Sequence, residues 1–203
     1  MSFNPMSARP FSQACENNKA PILAVLQKHF TEPGKILEIG TGTGQHAVFF
    51  AGQLPHLQWQ TSDLEENHAG IGLWMADYPG ENLLPPLVLD VAASSWDFGP
   101  FDGVFTANTA HIMSWDEAKM MLQGAAKLLN PGGKLVIYGP FNYNGQFTSD
   151  SNAQFNEWLK SQAPHRAIRD FEAVCEVAAS HGLGFIEDVA MPANNRCLVF
   201  QKV

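Results

Sequence analysis

The segment Glu38-Ile39-Gly40-Thr41-Gly42-Thr43-Gly44-Gln45 places three of the chain's 17 glycines within five positions, two residues beyond an acid. Glycines at such a turn remove the Cβ atoms that keep a ligand off the backbone, and they accept positive φ. A helix opening directly after them offers free N–H groups and a positive dipole end to polar or anionic ligand groups. The dinucleotide fingerprint G-x-G-x-x-G wants glycine where Gln45 stands, so the spacing here is a different one, G-x-G-x-G. Further along lie Asp63, nineteen residues after Gly44, and Asp90-Val91. The run Asn108-Thr109-Ala110-His111-Ile112 combines an amide with an imidazole. Asn108 is a candidate to hold a ligand, and His111 a candidate general base. The aromatic and amide-rich run Gly139–Phe147 reads as a lid, with Phe141 and Tyr143 lining a pocket and Arg169 meeting a carboxylate. Asn18 and Lys19 are candidates to close over a ligand carboxylate, where a cation is useful.

The elements that must position these residues alternate helix and strand. A first helix is expected from about Pro21, with Asn18 or Lys19 near its cap, ending at Pro33-Gly34. Strands are expected at 35–39, 57–62, 84–91, 101–107, 134–138, 185–191 and 196–202. Helices are expected at 46–54, 67–78, 114 to about 129, 152–161 and 171–181. Ser114 with Glu117 three residues on is a capping-box signature. The Trp residues at 59, 74, 96, 115 and 158 read by default as core. The pattern predicts an α/β, Rossmann-like doubly wound sheet of seven strands, mostly parallel with one antiparallel C-terminal strand. A single domain over 1–203 suffices, with 1–34 as an N-terminal helical cap and 139–184 as an insertion on the substrate side.

Composition narrows the function classes. A hydrophobic fraction of 45% and a charged fraction of 16% exclude disorder over most of the chain. Twelve Lys and Arg against twenty Asp and Glu, net −8, argue against a nucleic-acid partner, which calls for a basic footprint. The three cysteines, Cys15, Cys175 and Cys197, are odd in number, widely spaced and free of any CxxC pattern, as expected of reduced thiols. No paired-histidine or CxxC spacing points to a metal. The first twenty residues lack the basic start and the apolar run of about 7–15 residues of a secretory signal, and no stretch suits a membrane. A cytoplasmic protein is the expectation.

The loop, with Asp63, Asp90-Val91 and the Asn130-Pro131-Gly132-Gly133 turn in the same order along the chain, resembles class I S-adenosylmethionine-dependent methyltransferases. The resemblance implies that Glu38, Gly40, Thr41, Gly42 and Gly44 form the cofactor loop. It implies that Asp63 holds the ribose hydroxyls with Leu64 beside it, and that Asp90 and Val91 flank the adenine. Asn108, Asn18 and Lys19 then complete the cofactor site, and His111, Asn108 and Tyr143 become the catalytic candidates. Several runs, among them Asn17–Ile22, Gly44–Ala47, Trp59–Asp63, Tyr138–Phe141, Ile168–Asp170 and Met191–Asn195, look like the uncharacterised methyltransferase-like twenty-six family over nearly the whole chain. Asn17, where a basic residue is expected, and Gly40-Thr41, in place of Ala-Ser, depart from it.

Methyl transfer from a sulfonium needs positioning and exclusion of water more than it needs acid, base or metal. Enzymes that methylate adenine amino groups carry [D/N]-P-P-[Y/F] where this chain has Asn108-Thr-Ala-His, which disfavours that class; a small-molecule acceptor is the expectation, with a protein acceptor left open. A nicotinamide-dependent reductase is the other enzyme class with such a loop. It wants a third glycine at Gln45 or a Tyr-x-x-x-Lys pair, and neither is present. A protein that binds the cofactor without turnover keeps the same residues. Oligomeric state is not legible at this level.

Overall fold

The computed structural model describes residues 9–93 and 95–203. In chain order the elements are α1 (Gln13–His29), β1 (Gly34–Ile39), α2 (Gln45–Gln53), β2 (Leu57–Asp63), a single 3-10 turn (Glu65–Asn67), α3 (His68–Met75) and β3 (Leu83–Val88). There follow β4 (Phe101–Ala107), α4 (Trp115–Leu128), β5 (Leu129–Gly139), β6 (Phe141–Asn142) and α5 (Asp150–Gln162). The chain closes with β7 (Arg169–Asp170), α6 (Phe171–Ser180), β8 (Leu183–Met191) and β9 (Asn195–Lys202).

The sheet has seven strands in the order β3-β2-β1-β4-β5-β9-β8. The first five run parallel, and β9 pairs antiparallel with both β5 and β8, as the sequence pattern predicts. The central strands β1 and β4 are covered on both faces, so they read as near-continuous apolar runs. Successive side chains go to opposite faces. Leu37, Val104 and Leu135 enter the core shared with α4 and α6. Ile36, Phe105 and Val136 enter the core shared with α1 and α2, where Phe50 lies 5.5 Å from Trp59 and 5.4 Å from Phe105 between ring centres. Strand order reverses between β1 and β4, and the crevice at such a reversal is where ligands bind in open α/β sheets.

Several expectations change; among the bounds, β3 ends at Val88 and α3 at Met75, earlier than the pattern predicts. The first helix begins at Gln13, so Pro21 lies inside it rather than at its start. The carbonyl that Pro21 leaves without a donor is that of Asn17, an exposed residue that water can satisfy. Strand β5 begins at Leu129, because the Asn130–Gly133 turn is a register break within the β4–β5 ladder and not a connection before it. A small second sheet, β6 with β7, forms inside the segment read as an insertion. Of the tryptophans, Trp59 is fully buried, whereas Trp158 is 54% exposed and lies flat against Phe155 on the surface of α5.

Candidate functional site

A cavity of about 520 Å³ opens at the strand-order reversal, beyond the carboxyl ends of β1 to β4. Each strand from β1 to β4 contributes residues at or just past its carboxyl end. Gly40 and Gly42 come after β1, Asp63 and Leu64 from the end of β2, Leu89 to Val91 after β3, and Asn108 and Thr109 after β4.

The glycine loop is held from below. The Gly40 and Thr41 amides both donate to the Ser62 carbonyl at 3.0 Å, and the Gly42 amide donates to Asp63 Oδ2 at 2.6 Å. Gly42 has φ +63°, and a Cβ there would meet nothing closer than 4.0 Å, because it would project into open space. The missing side chain leaves room against the cavity wall. Asp63 Oδ1 accepts the Leu64 amide at 2.8 Å and Asn67 Nδ2 at 2.7 Å, which fixes the carboxylate's orientation at the wall. Beneath the loop, Glu38 is 2% exposed and accepts from Trp59 Nε1 at 3.0 Å and Thr41 Oγ1 at 3.2 Å. Burial pushes its carboxyl up to about 7 despite these two donors. Glu38 and Thr41 therefore brace the loop without reaching the cavity. Gly44, the N-cap of α2 with φ +92°, packs against Ile71 and Trp74 and is likewise a supporting residue.

Gln45, at the position a dinucleotide fold reserves for glycine, ties α1 to the loop. Its Oε1 accepts the Ser12 amide at 2.6 Å and its Nε2 donates to Glu16 at 2.9 Å. Asn108 follows β4 with φ +59°, a conformation uncommon outside glycine and tolerated best by asparagine. Such outliers cluster at ligand sites. Its amide donates to the Tyr138 carbonyl at 2.9 Å, and the residue lines the cavity.

Four candidates lie elsewhere. His111 is 5% exposed and does not line the cavity. Its ring packs edge-on to Phe155 at 5.4 Å, and burial beside Arg169 and Arg166 pushes it down to about 4. Tyr143 donates to Asp188 Oδ2 at 2.7 Å and stacks on Phe171, 5.2 Å between centres, because β6 leads it toward β8 and α6. Asn18 accepts from His46 Nε2 at 2.7 Å inside the α1–α2 contact. Lys19 pairs with Glu16 and covers the Phe49 ring at 5.0 Å. Asn17, the departure noted in the sequence, is exposed and accepts from Gln13 Nε2 at 3.0 Å. Arg169 meets no carboxylate. Its guanidinium donates to the carbonyls of Ala110, Met113 and His165 and clamps the loop after β4.

Ile112 of that loop lines the cavity together with Glu117 and with four residues that no motif marked, Asn67, Met113, His165 and Arg166. Glu117 was legible only as half of the capping box, and it performs that role. The Ser114 amide donates to its Oε2 at 2.6 Å, and its own amide donates to Ser114 Oγ at 3.2 Å, which holds its carboxyl below the usual range.

Among solved structures the chain matches an O-methyltransferase family protein from Burkholderia thailandensis, with TM-score 0.81 at 18% identity over 91% of this chain and 56% of that one. It also matches the O-methyltransferase family 2 protein from Planctomyces limnophilus solved with apigenin, with TM-score 0.82 at 16% identity over 94% and 58%. Human N-acetylserotonin methyltransferase, solved with S-adenosylmethionine, gives TM-score 0.78 at 14% identity over 94% and 53%. The chain thus spans little more than half the length of these proteins. The fold is the Rossmann-like fold of class I methyltransferases. Residues 9–202 match the family described as protein of unknown function (DUF938), and the chain belongs to that family.

Proposed function

We propose that this chain is a class I S-adenosylmethionine-dependent methyltransferase of the methyltransferase-like twenty-six type, acting on a small-molecule acceptor. The observation that supports the reading most directly is the convergence of Gly40, Gly42, Asp63, Asp90, Val91 and Asn108 on one cavity at the strand-order reversal. These residues suit the cofactor chemically. The open space at Gly42 admits a ligand against the backbone. The oriented carboxylate of Asp63 has acceptor capacity for a ribose diol, and Asp90 with Val91 offers one polar and one apolar contact to a purine edge. The structures of S-adenosylmethionine-dependent neighbours and the apigenin complex favour this cofactor and a small acceptor.

When bound, S-adenosylmethionine supplies an activated methyl group, which bonds to an acceptor lone pair as the carbon–sulfur bond breaks and the sulfur keeps the electron pair. The acceptor's proton leaves to solvent or to a neighbouring group. The chain's residues contribute position. The braced loop and Asp63 hold the cofactor, and Asn108 lies at the β4 end, suited to orient the reacting groups. Ile112 and Met113 help to keep water out. The segment 139–184, which contributes His165 and Arg166 to the wall, is the acceptor side in this reading, and residues 9–34, the described part of the 1–34 cap, steady the loop through Gln45.

Calorimetric titration tests the proposal. S-adenosylmethionine and S-adenosylhomocysteine should both bind at one site, and NADH and NADPH should not. A chain that binds a nicotinamide cofactor, or neither sulfur compound, is not a methyltransferase.

A further inference from the structure

Arg166 stands on the cavity wall, and its charge has no partner among the described residues. Its Nε is buried with no hydrogen-bond partner among the described residues, and it enters none of the described ion pairs. The backbone around it is fixed. Its own amide donates to the Ala163 carbonyl at 3.0 Å, the Ala167 amide to the His111 carbonyl at 3.1 Å, and the Ile168 amide to the buried Asn156 Oδ1 at 3.0 Å. Arg169, three residues on, is consumed by three carbonyls. Two cations therefore sit in one short segment with different employment, one structural and one facing the cavity. Glu117, the acid on the same wall, is engaged by the Ser114 amide and forms no ion pair with Arg166.

A partly buried guanidinium lacking an anion is costly, and its planar fork of donors matches a carboxylate in particular. Resting on the methyltransferase reading, we propose that Arg166 is the specificity residue for the acceptor, and that the acceptor is a small carboxylate whose acid group pairs with the Arg166 guanidinium. The same cavity wall is apolar at Val91, Ile112 and Met113, so the acid belongs to a molecule with an apolar body. The cofactor also carries a carboxylate, and the test separates the two sources.

S-adenosylhomocysteine and 5′-methylthioadenosine, which lacks the amino-acid group, are titrated calorimetrically into the wild type and Arg166→Gln. The S-adenosylhomocysteine-loaded proteins are then titrated with 4-hydroxybenzoate, indole-3-acetate and succinate and with the amide of each. S-adenosylhomocysteine should bind both proteins within about twofold. At least one acid should bind the wild type about tenfold more tightly than its amide, and Arg166→Gln should erase that preference while Arg166→Lys keeps part of it. Equal binding of every acid and amide, or binding of none, overturns the proposal. So does a tenfold loss of S-adenosylhomocysteine affinity in Arg166→Gln with 5′-methylthioadenosine unchanged, which would give Arg166 to the cofactor's carboxylate. Failure of S-adenosylhomocysteine to bind the wild type is a separate outcome and defeats the methyltransferase reading itself.

Discussion

The Asp63 carboxylate accepts the Gly42 amide at 2.6 Å through one oxygen, and the Leu64 amide and Asn67 side chain through the other. A residue at the end of β2 therefore sets the height of the loop after β1. Both residues line the cavity, so the acid that would bind the ribose also shapes the loop against which the cofactor would lie.

Asp63→Ala removes the loop anchor and the proposed diol acceptor together. A hydrogen bond to a charged group contributes about 1.5–3 kcal/mol, so S-adenosylhomocysteine affinity should fall roughly 10- to 100-fold. Asp63→Asn keeps one carbonyl oxygen, enough for either the Gly42 or the Leu64 amide, and should lose less. Calorimetric affinities for the three proteins check this, and equal affinity in Asp63→Ala would remove Asp63 from the site.

Two glycines should respond in opposite directions to alanine. Gly42 holds φ +63° at the cavity wall, so Gly42→Ala strains the loop by about 1–2 kcal/mol and puts a methyl group into the ligand's space. Gly72 is exposed within α3, and a Cβ there would meet nothing within 4 Å. Gly72→Ala should stabilise the fold by about 1 kcal/mol, a Tm rise of about 2–4 °C, with ligand affinity unchanged. Thermal unfolding with and without S-adenosylhomocysteine reads both effects.

The Ser114–Glu117 capping box opens α4 beside the cavity. Ser114→Ala should cost about 1 kcal/mol in urea unfolding. It should let the Glu117 carboxyl rise only part of the way toward its ordinary range, since the Ser114 backbone amide, the larger of the two Ser114 bonds that hold it down, survives the substitution. Carboxyl chemical shifts followed through acid titration report that rise, and an unmoved Glu117 would mean that the backbone amide alone holds it.

The parts of the site legible in the sequence are those where backbone chemistry demands a residue type. Gly40 and Gly42 need positive φ and an absent Cβ, so their spacing marks them, whereas Asp63 at the end of the next strand is marked by the family resemblance. The β4 loop is different. The sequence singles it out as a whole, yet within it Asn108 and Ile112 reach the cavity while His111 turns into the protein. That choice depends on the clamp from Arg169, 56 to 59 residues away along the chain, on the carbonyls of Met113 and Ala110. No local pattern encodes it. Pro21 misled for a related reason. A proline inside a helix costs a hydrogen bond that an exposed turn can give to water, and exposure is a tertiary property.

Glu38 makes stability depend on pH in a direction unusual for a carboxylate. Its pKa rises from an ordinary 4.5 to about 7 through burial, so between those values the folded chain holds a proton that the unfolded chain releases. Its contribution is therefore complete below about pH 4.5 and is lost as pH rises through about 7, on the order of 3 kcal/mol in total. His46 and His111 act oppositely. Burial lowers both from 6.5 to about 4, so the fold loses stability as pH falls below 6.5. The raw profile mixes the two effects, and the difference between Glu38→Gln and wild type cancels the histidines. Glutamine still accepts from Trp59 and never ionises. The stability of Glu38→Gln relative to wild type should therefore climb between pH 5 and pH 8, measured by urea unfolding at each pH. A flat difference across that window would mean that Glu38 is ionised in the folded protein throughout, with a partner beyond Trp59 and Thr41 holding its charge.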